Sequence, residues 1–173
     1  MGTVTAPTFA DIENLYCGTV YPNLEEYAGG TALCLFCAEW LGMQDAYWVA
    51  KAGLVGTCVD VQGEKLEQMR EVYPDEWRFL TEDVYDFTEL AEECGWKWDV
   101  LTLDPWTGQF EQCAELLPRW CALARKVVVL GHGNYRLTPP EAPEGWVLSE
   151  TIKRSDYKGG IYWLVFKRST KEN

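Results

Sequence analysis

Short apolar runs rich in Val, Leu and Cys alternate with helix-spaced stretches from Thr31 to Leu130. Thr31 to Phe36, Val55 to Val59, Trp77 to Leu80, Asp99 to Leu103 and Lys126 to Leu130 read as strands buried on both faces. Between them, Met43 to Ala52, Lys65 to Val72, Thr88 to Cys94 and Phe110 to Ala124 read as helices, with Gly53 stopping the first and Pro74 the second. Such alternation demands right-handed crossovers and a parallel sheet covered on both sides. The rhythm breaks after a loop from Gly131 to Gly145. Trp146 to Lys153 and Ile161 to Lys167 then follow one another across Arg154 to Gly160, which reads as a β-hairpin. The expected fold is α/β: a Rossmann-like, doubly wound, mostly parallel sheet with a C-terminal antiparallel hairpin. Residues 1–30 read as an N-terminal extension whose short helix, Phe9 to Tyr16, is capped by Thr8, and residues 31–173 as the α/β domain.

At 173 residues, 47% of them hydrophobic, the chain is long enough to bury a core without disulfides or metals. No basic start with an apolar run marks a signal peptide, and no apolar stretch reaches the roughly 18 residues of a membrane span. Ala6 stands where a myristoylation signal asks for a hydroxyl residue. A soluble, cytoplasmic protein without a membrane partner is the expectation. The seven cysteines, an odd number, read as reduced core residues. Cys34 and Cys37 form a Cys-x-x-Cys, but no second pair follows at zinc spacing and His132 is the sole histidine. Neither a metal site nor thioredoxin chemistry is expected, since a redox pair opens a helix and Cys34 lies within a strand.

Charge is unevenly distributed. Met1 to Pro118 holds 5 Lys and Arg against 22 Asp and Glu, whereas Arg119 to Asn173 holds 10 against 5. A body this acidic does not suit non-specific duplex binding, which needs a basic face to neutralise phosphates.

Asp60 and Asp104 each follow a strand run directly, and Asp83 follows one at a short distance. Carboxylates at the carboxyl ends of parallel strands face the crevice where open α/β sheets bind ligands. Alternation, terminal hairpin and acids together resemble the class I methyltransferases that use S-adenosylmethionine, over roughly Thr31 to Arg168. The resemblance implies that Asp60 meets the ribose hydroxyls, with Val61 beside it, and that Asp83 meets the adenine amino group, with Val84 packing near the ring. These roles are chemically sound, because hydroxyls and amines donate and carboxylates accept. In that family the first turn carries glycines that let the backbone approach the methionine moiety. Here Leu33-Cys34-Leu35-Phe36-Cys37-Ala38-Glu39-Trp40-Leu41-Gly42 departs from the pattern, with Cys34 in place of an acid and Ala38 and Trp40 in place of glycines. Either Cys37, Glu39 and Gly42 serve the cofactor in a longer turn, Glu39 facing its amino group, or the pocket is altered.

Leu103-Asp104-Pro105-Trp106 resembles a shortened Asp-Pro-Pro-Trp motif of amino methyltransferases, which implies catalytic roles for Asp104, Pro105 and Trp106. The alternative is a helix entry with Asp104 capping and Trp106 buried. His132 is a candidate general base. Asn134 and Arg136, together with Lys153, Arg154 and Lys158 of the hairpin, are expected on the same side of the sheet. There they favour an anionic substrate, a nucleotide or nucleic acid. Two functions stay open: methyl transfer from S-adenosylmethionine to an amine or other nucleophile, or a non-catalytic binding or assembly protein with a protein partner that keeps the fold. A nicotinamide-dependent dehydrogenase would need a Gly-x-Gly-x-x-Gly turn, which is absent.

Overall fold

The computed structural model of the chain describes residues 7–38, 43–105, 107–132, 138–154 and 161–170. Seven strands form one sheet in the order β3-β2-β1-β4-β5-β7-β6. They are β1 (Thr31–Leu35), β2 (Val55–Asp60), β3 (Arg78–Thr81), β4 (Trp98–Leu103), β5 (Ala124–His132), β6 (Trp146–Arg154) and β7 (Ile161–Arg168). The first five run parallel, and β7 is antiparallel to both β5 and β6. Strand order reverses between β1 and β4, the switch point at whose carboxyl end α/β sheets open a crevice.

Alternation along each strand builds two cores. In β1, Ala32 and Cys34 face one way, against α1 (Phe9–Tyr16), α2 (Gln44–Lys51) and α3 (Gly63–Arg70). Leu33 and Leu35 face the other way, against α4 (Val84–Glu93), α5 (Phe110–Glu115) and α6 (Leu117–Leu123). The first core is aromatic: Tyr47 of α2 meets Phe9 at 5.9 Å and Tyr16 at 5.6 Å, which docks the capped helix α1 onto α2. Gly56 of β2 has no side chain because the Trp77 ring lies over it, and a Cβ there would stand 2.3 Å from that ring.

Four expectations are corrected. The helix from Phe110 to Ala124 breaks at Leu116: Pro118 has no N–H, its ring obstructs the preceding turn, and it sits instead in the first turn of α6. Helix α4 starts at Val84 rather than Thr88 because Asp83 caps it. Strand β5 continues through His132, which is therefore a strand end rather than a loop residue. All seven cysteines are free, but Cys17 and Cys94 are exposed, so only the other five belong to the core. No helix among the described residues is long and apolar enough to cross a membrane.

Candidate functional site

Strand β2 delivers Asp60 to the crevice floor, where it is 4% exposed. Its Oδ2 accepts from Ala38 N at 3.1 Å and its Oδ1 from Gln62 N at 2.9 Å. The carboxylate thus ties the turn after β1 to the turn after β2. Lys65 adds a second tie by donating from Nζ to the Ala38 carbonyl at 2.7 Å. Asp83 stands across the crevice as the cap of α4: its Oδ1 accepts from Tyr85 N at 2.8 Å and Asp86 N at 3.2 Å. Val84 is buried behind it, while Val61 is 65% exposed beside Asp60. An apolar side chain held open between two carboxylates is a wall for an apolar face of a ligand.

Asp60, Val61, Asp83, Val84 and Tyr85 line one cavity of about 140 Å³, which Phe36, Gln62 and Gln109 complete. Gln109 Oε1 is buried without a hydrogen-bond partner among the described residues, and the Tyr85 hydroxyl is buried beside the Cys113 thiol. Burial, with the Cys113 thiol alongside, pushes the Tyr85 hydroxyl up to about 12, so it remains a neutral donor. Phe36 narrows the cavity. Its φ is +54°, the left-handed region that glycine occupies without strain, and its ring meets Tyr85 at 5.8 Å and 63°. Cys37 turns away from this space: it is 3% exposed, and its thiol donates to the Val59 carbonyl at 3.9 Å.

The carboxyl end of β4 forms the second arm. Asp104 is half-buried, and its N–H donates to the Leu35 carbonyl at 3.2 Å. A Cβ at Gly131 would stand 2.9 Å from Asp104 Oδ1, so the residue that follows β4 sits against the end of β5. Pro105 is buried. His132, Tyr162 and Lys153 share one row across β5, β7 and β6, with Arg154 next along β6. Glu39, Gly42, Trp106, Asn134, Arg136 and Lys158 lie outside the described residues, as do the side chains of His132 and Arg154. Among the described residues, no three His, Cys, Asp or Glu side chains are grouped to hold a metal ion.

Sequence reasoning missed a polar group on the first-core side of β4. Tyr21 donates from its hydroxyl to Asp45 Oδ1 at 2.8 Å, and Asp45 is 1% exposed on α2. Burial raises the Asp45 carboxyl to about 6, against the lowering effect of the Tyr21 and Thr102 hydroxyls. Gln44 Nε2 and Trp163 Nε1 are buried without a hydrogen-bond partner among the described residues. The available signal was one acid, Asp45, directly before the apolar helix run Ala46-Tyr47-Trp48-Val49. For Phe36 it was a bulky residue in a turn where the resembled family uses small ones.

No protein-family model matches the sequence, and no curated protein matches it either. Solved structures do match in shape. TrmN from Thermus thermophilus aligns with a TM-score of 0.63 at 16% identity, over 93% of this chain and 48% of its own. Magnesium protoporphyrin IX methyltransferase from Synechocystis, solved with bound S-adenosylmethionine, aligns at 0.56 and 19%, over 83% and 72%. SMU.776, complexed with S-adenosylhomocysteine, aligns at 0.62 and 13%, over 82% and 46%. The chain therefore spans about half the length of two of these proteins. The fold is the class I methyltransferase-like fold, in agreement with the strand order and terminal hairpin.

Proposed function

We propose that this chain is an S-adenosylmethionine-dependent methyltransferase that seats the adenosine half of the cofactor between Asp60 and Asp83. The observation that carries this reading is the convergence of both carboxylates, the exposed Val61 and the buried polar atoms of Tyr85 and Gln109 on one cavity. Asp83 keeps its second oxygen, Oδ2, to accept from an exocyclic amine, since Oδ1 holds Tyr85 N and Asp86 N. Asp60 keeps lone pairs for ribose hydroxyls beyond its two backbone bonds. Val61 and Val84 supply apolar contact to the base. When bound, the cofactor supplies an electrophilic methyl group on a sulfonium. This chain's part is then to hold an amine or other nucleophile at Asp104 and Pro105, with the carboxylate accepting its proton or hydrogen bond. His132 at the end of β5 is the proposed second base. An anionic nucleotide or nucleic-acid substrate is supported by the positive balance after Pro118 and by the place of Lys153 and Arg154 at this end of the sheet.

A second reading is favoured by Phe36. Ligand pockets run to roughly 300–1,000 Å³, and a cavity of about 140 Å³ is well short of that. A chain fixed in this form is a non-catalytic module that keeps the fold. Calorimetric titration with S-adenosylmethionine and S-adenosylhomocysteine separates the two. Saturable binding that Val61→Lys weakens by about tenfold or more supports the methyltransferase. Absence of heat and of any thermal shift at millimolar ligand ends that reading in favour of the module.

A further inference from the structure

A groove of about 730 Å³ lies at the opposite end of the sheet from the crevice. It is lined by the first residues of the strands: Thr31 of β1, Val55 to Thr57 of β2, Arg78 of β3 and Trp98 of β4, with Arg125 from β5. Its origin is local. Helix α4 starts beside the carboxyl ends of the strands and runs for 10 residues, after which Gly95, at φ +67°, turns the chain back. The amino end of that sheet face is left without a helix, so Val55 and Thr57 are half-buried although β2 is an interior strand.

Two chemistries meet in the groove. One is aromatic: Phe87, Trp96 and Trp98 form a triangle with centroids 6.2 to 6.5 Å apart, and Trp96 is 44% exposed. A tryptophan left open on two buttressing rings presents a flat π surface. The other is cationic. Only five Lys and Arg occur among the first 118 residues, yet Arg78 and Lys97 meet Arg125 here, against a single acid in the lining, Glu76. Lys97 is anchored by donating to the Ala122 carbonyl. Neither Arg78 nor Arg125 is in an ion pair among the described residues, and the nearby Asp99 pairs with Lys126 at 3.3 Å.

We propose that this groove is a nucleotide site, the base stacking on Trp96 and the phosphates meeting Arg78, Arg125 and Lys97. A mononucleotide joins a flat ring to a compact multiple anion in one small molecule, and both halves of the groove are answered at once. The volume lies within the range of small-ligand pockets, roughly 300–1,000 Å³, and the half-buried Thr57 hydroxyl adds a polar contact on the floor. The site is separate from the crevice and does not depend on methyl transfer.

The test is calorimetric titration of the chain with ATP, GTP and UTP, with pyrophosphate as the bare anion. The expected result is saturable binding that falls by about tenfold or more in Trp96→Ala and in the pair Arg78→Gln and Arg125→Gln. It should be unchanged in Asp83→Asn, which alters only the crevice. All the groove substitutions fall on exposed side chains, and the Arg pair leaves the aromatic triangle intact should Trp96→Ala loosen it. Four outcomes overturn the proposal: no saturable heat with any nucleotide at millimolar concentration, affinity unchanged in either groove variant, pyrophosphate binding as tightly as the nucleotides, or affinity lost in Asp83→Asn instead.

Discussion

Phe36 and Tyr85 meet edge-on at 5.8 Å, one from the turn after β1 and the other from the first turn of α4. Their contact bridges the two sides of the crevice between Asp60 and Asp83. Phe36 is held there in a backbone conformation that costs an L-residue roughly 1–2 kcal/mol, and burial of its ring offsets that strain. The first turn keeps a glycine-like backbone at Phe36 while filling the space glycine leaves open.

Phe36→Gly should therefore loosen the fold and open the crevice together. Loss of a buried phenyl ring costs about 3–5 kcal/mol, partly offset by relief of the left-handed strain. The thermal midpoint should fall while affinity for S-adenosylmethionine rises by about tenfold. Calorimetry on both chains decides. Equal affinity would show that Phe36 moves aside without cost, and binding by the variant alone would assign the native chain to the non-catalytic reading.

The two crevice acids should part company under mutation. Asp60 is a buried acceptor for two backbone N–H groups, so Asp60→Ala leaves Ala38 N and Gln62 N unpaired and should cost about 2–4 kcal/mol in urea unfolding. Asp83→Asn keeps a side-chain oxygen to cap α4, an exchange that is nearly neutral for a helix cap. It does replace an acceptor with a donor where an adenine amino group is proposed. Stability within about 0.5 kcal/mol of wild type, with cofactor affinity down about tenfold, is the expected pair of results. A large stability loss in Asp83→Asn would show that the acid serves the helix alone.

Strand periodicity carried most of the fold into the sequence. Each apolar run ends where its strand leaves the core, so Asp60 and Asp104 were readable as crevice residues, and the two consecutive strands after Gly145 as a hairpin. The same periodicity is blind to the interior of turns. Phe36 is apolar and adjoins a strand, so it reads as the last strand residue, whereas its φ of +54° places it in the turn. Asp60 was legible as an acid facing a ligand but not as the tie between two turns, because Ala38 N lies 22 residues away. The bond between Tyr21 and Asp45 was hidden for a related reason. It spans 24 residues, so an acid beside an apolar run hints at burial without naming its partner.

Asp45 makes stability depend on pH. Its carboxyl is raised by burial from 3.8 to about 6 in the folded chain, so the folded state binds the proton more tightly than the unfolded one. The resulting stabilisation is fully present below about pH 4 and is lost as pH rises through about 6, an effect of about 2–3 kcal/mol. Glu26, Glu92 and Asp99, whose carboxyls are lowered, act in the opposite direction. The comparison must therefore be made between chains. Urea unfolding of wild type and Asp45→Asn at pH 4.5 and 7.5 should show the variant gaining on wild type at the higher pH. A constant difference between the two would place the Asp45 carboxyl at its ordinary value.

Gly131 tests whether the end of β4 works on a substrate. A Cβ there would stand 2.9 Å from Asp104 Oδ1, 2.9 Å from the Trp163 ring and 3.2 Å from the Leu103 carbonyl. Trp163 is fully buried and the carbonyl is backbone, so of the three groups the Asp104 side chain has to give way. Gly131→Ala should cost about 1–3 kcal/mol from overpacking and rotate the Asp104 carboxylate away from β5. Asp60 ends β2 and Asp83 caps α4, so neither is touched. If Asp104 positions the methyl acceptor, single-turnover transfer should fall by about tenfold or more while S-adenosylmethionine affinity holds, since a small displacement of a positioning group weakens the reacting geometry alone. Loss of cofactor affinity in step with activity would instead make Asp104 part of the cofactor seat.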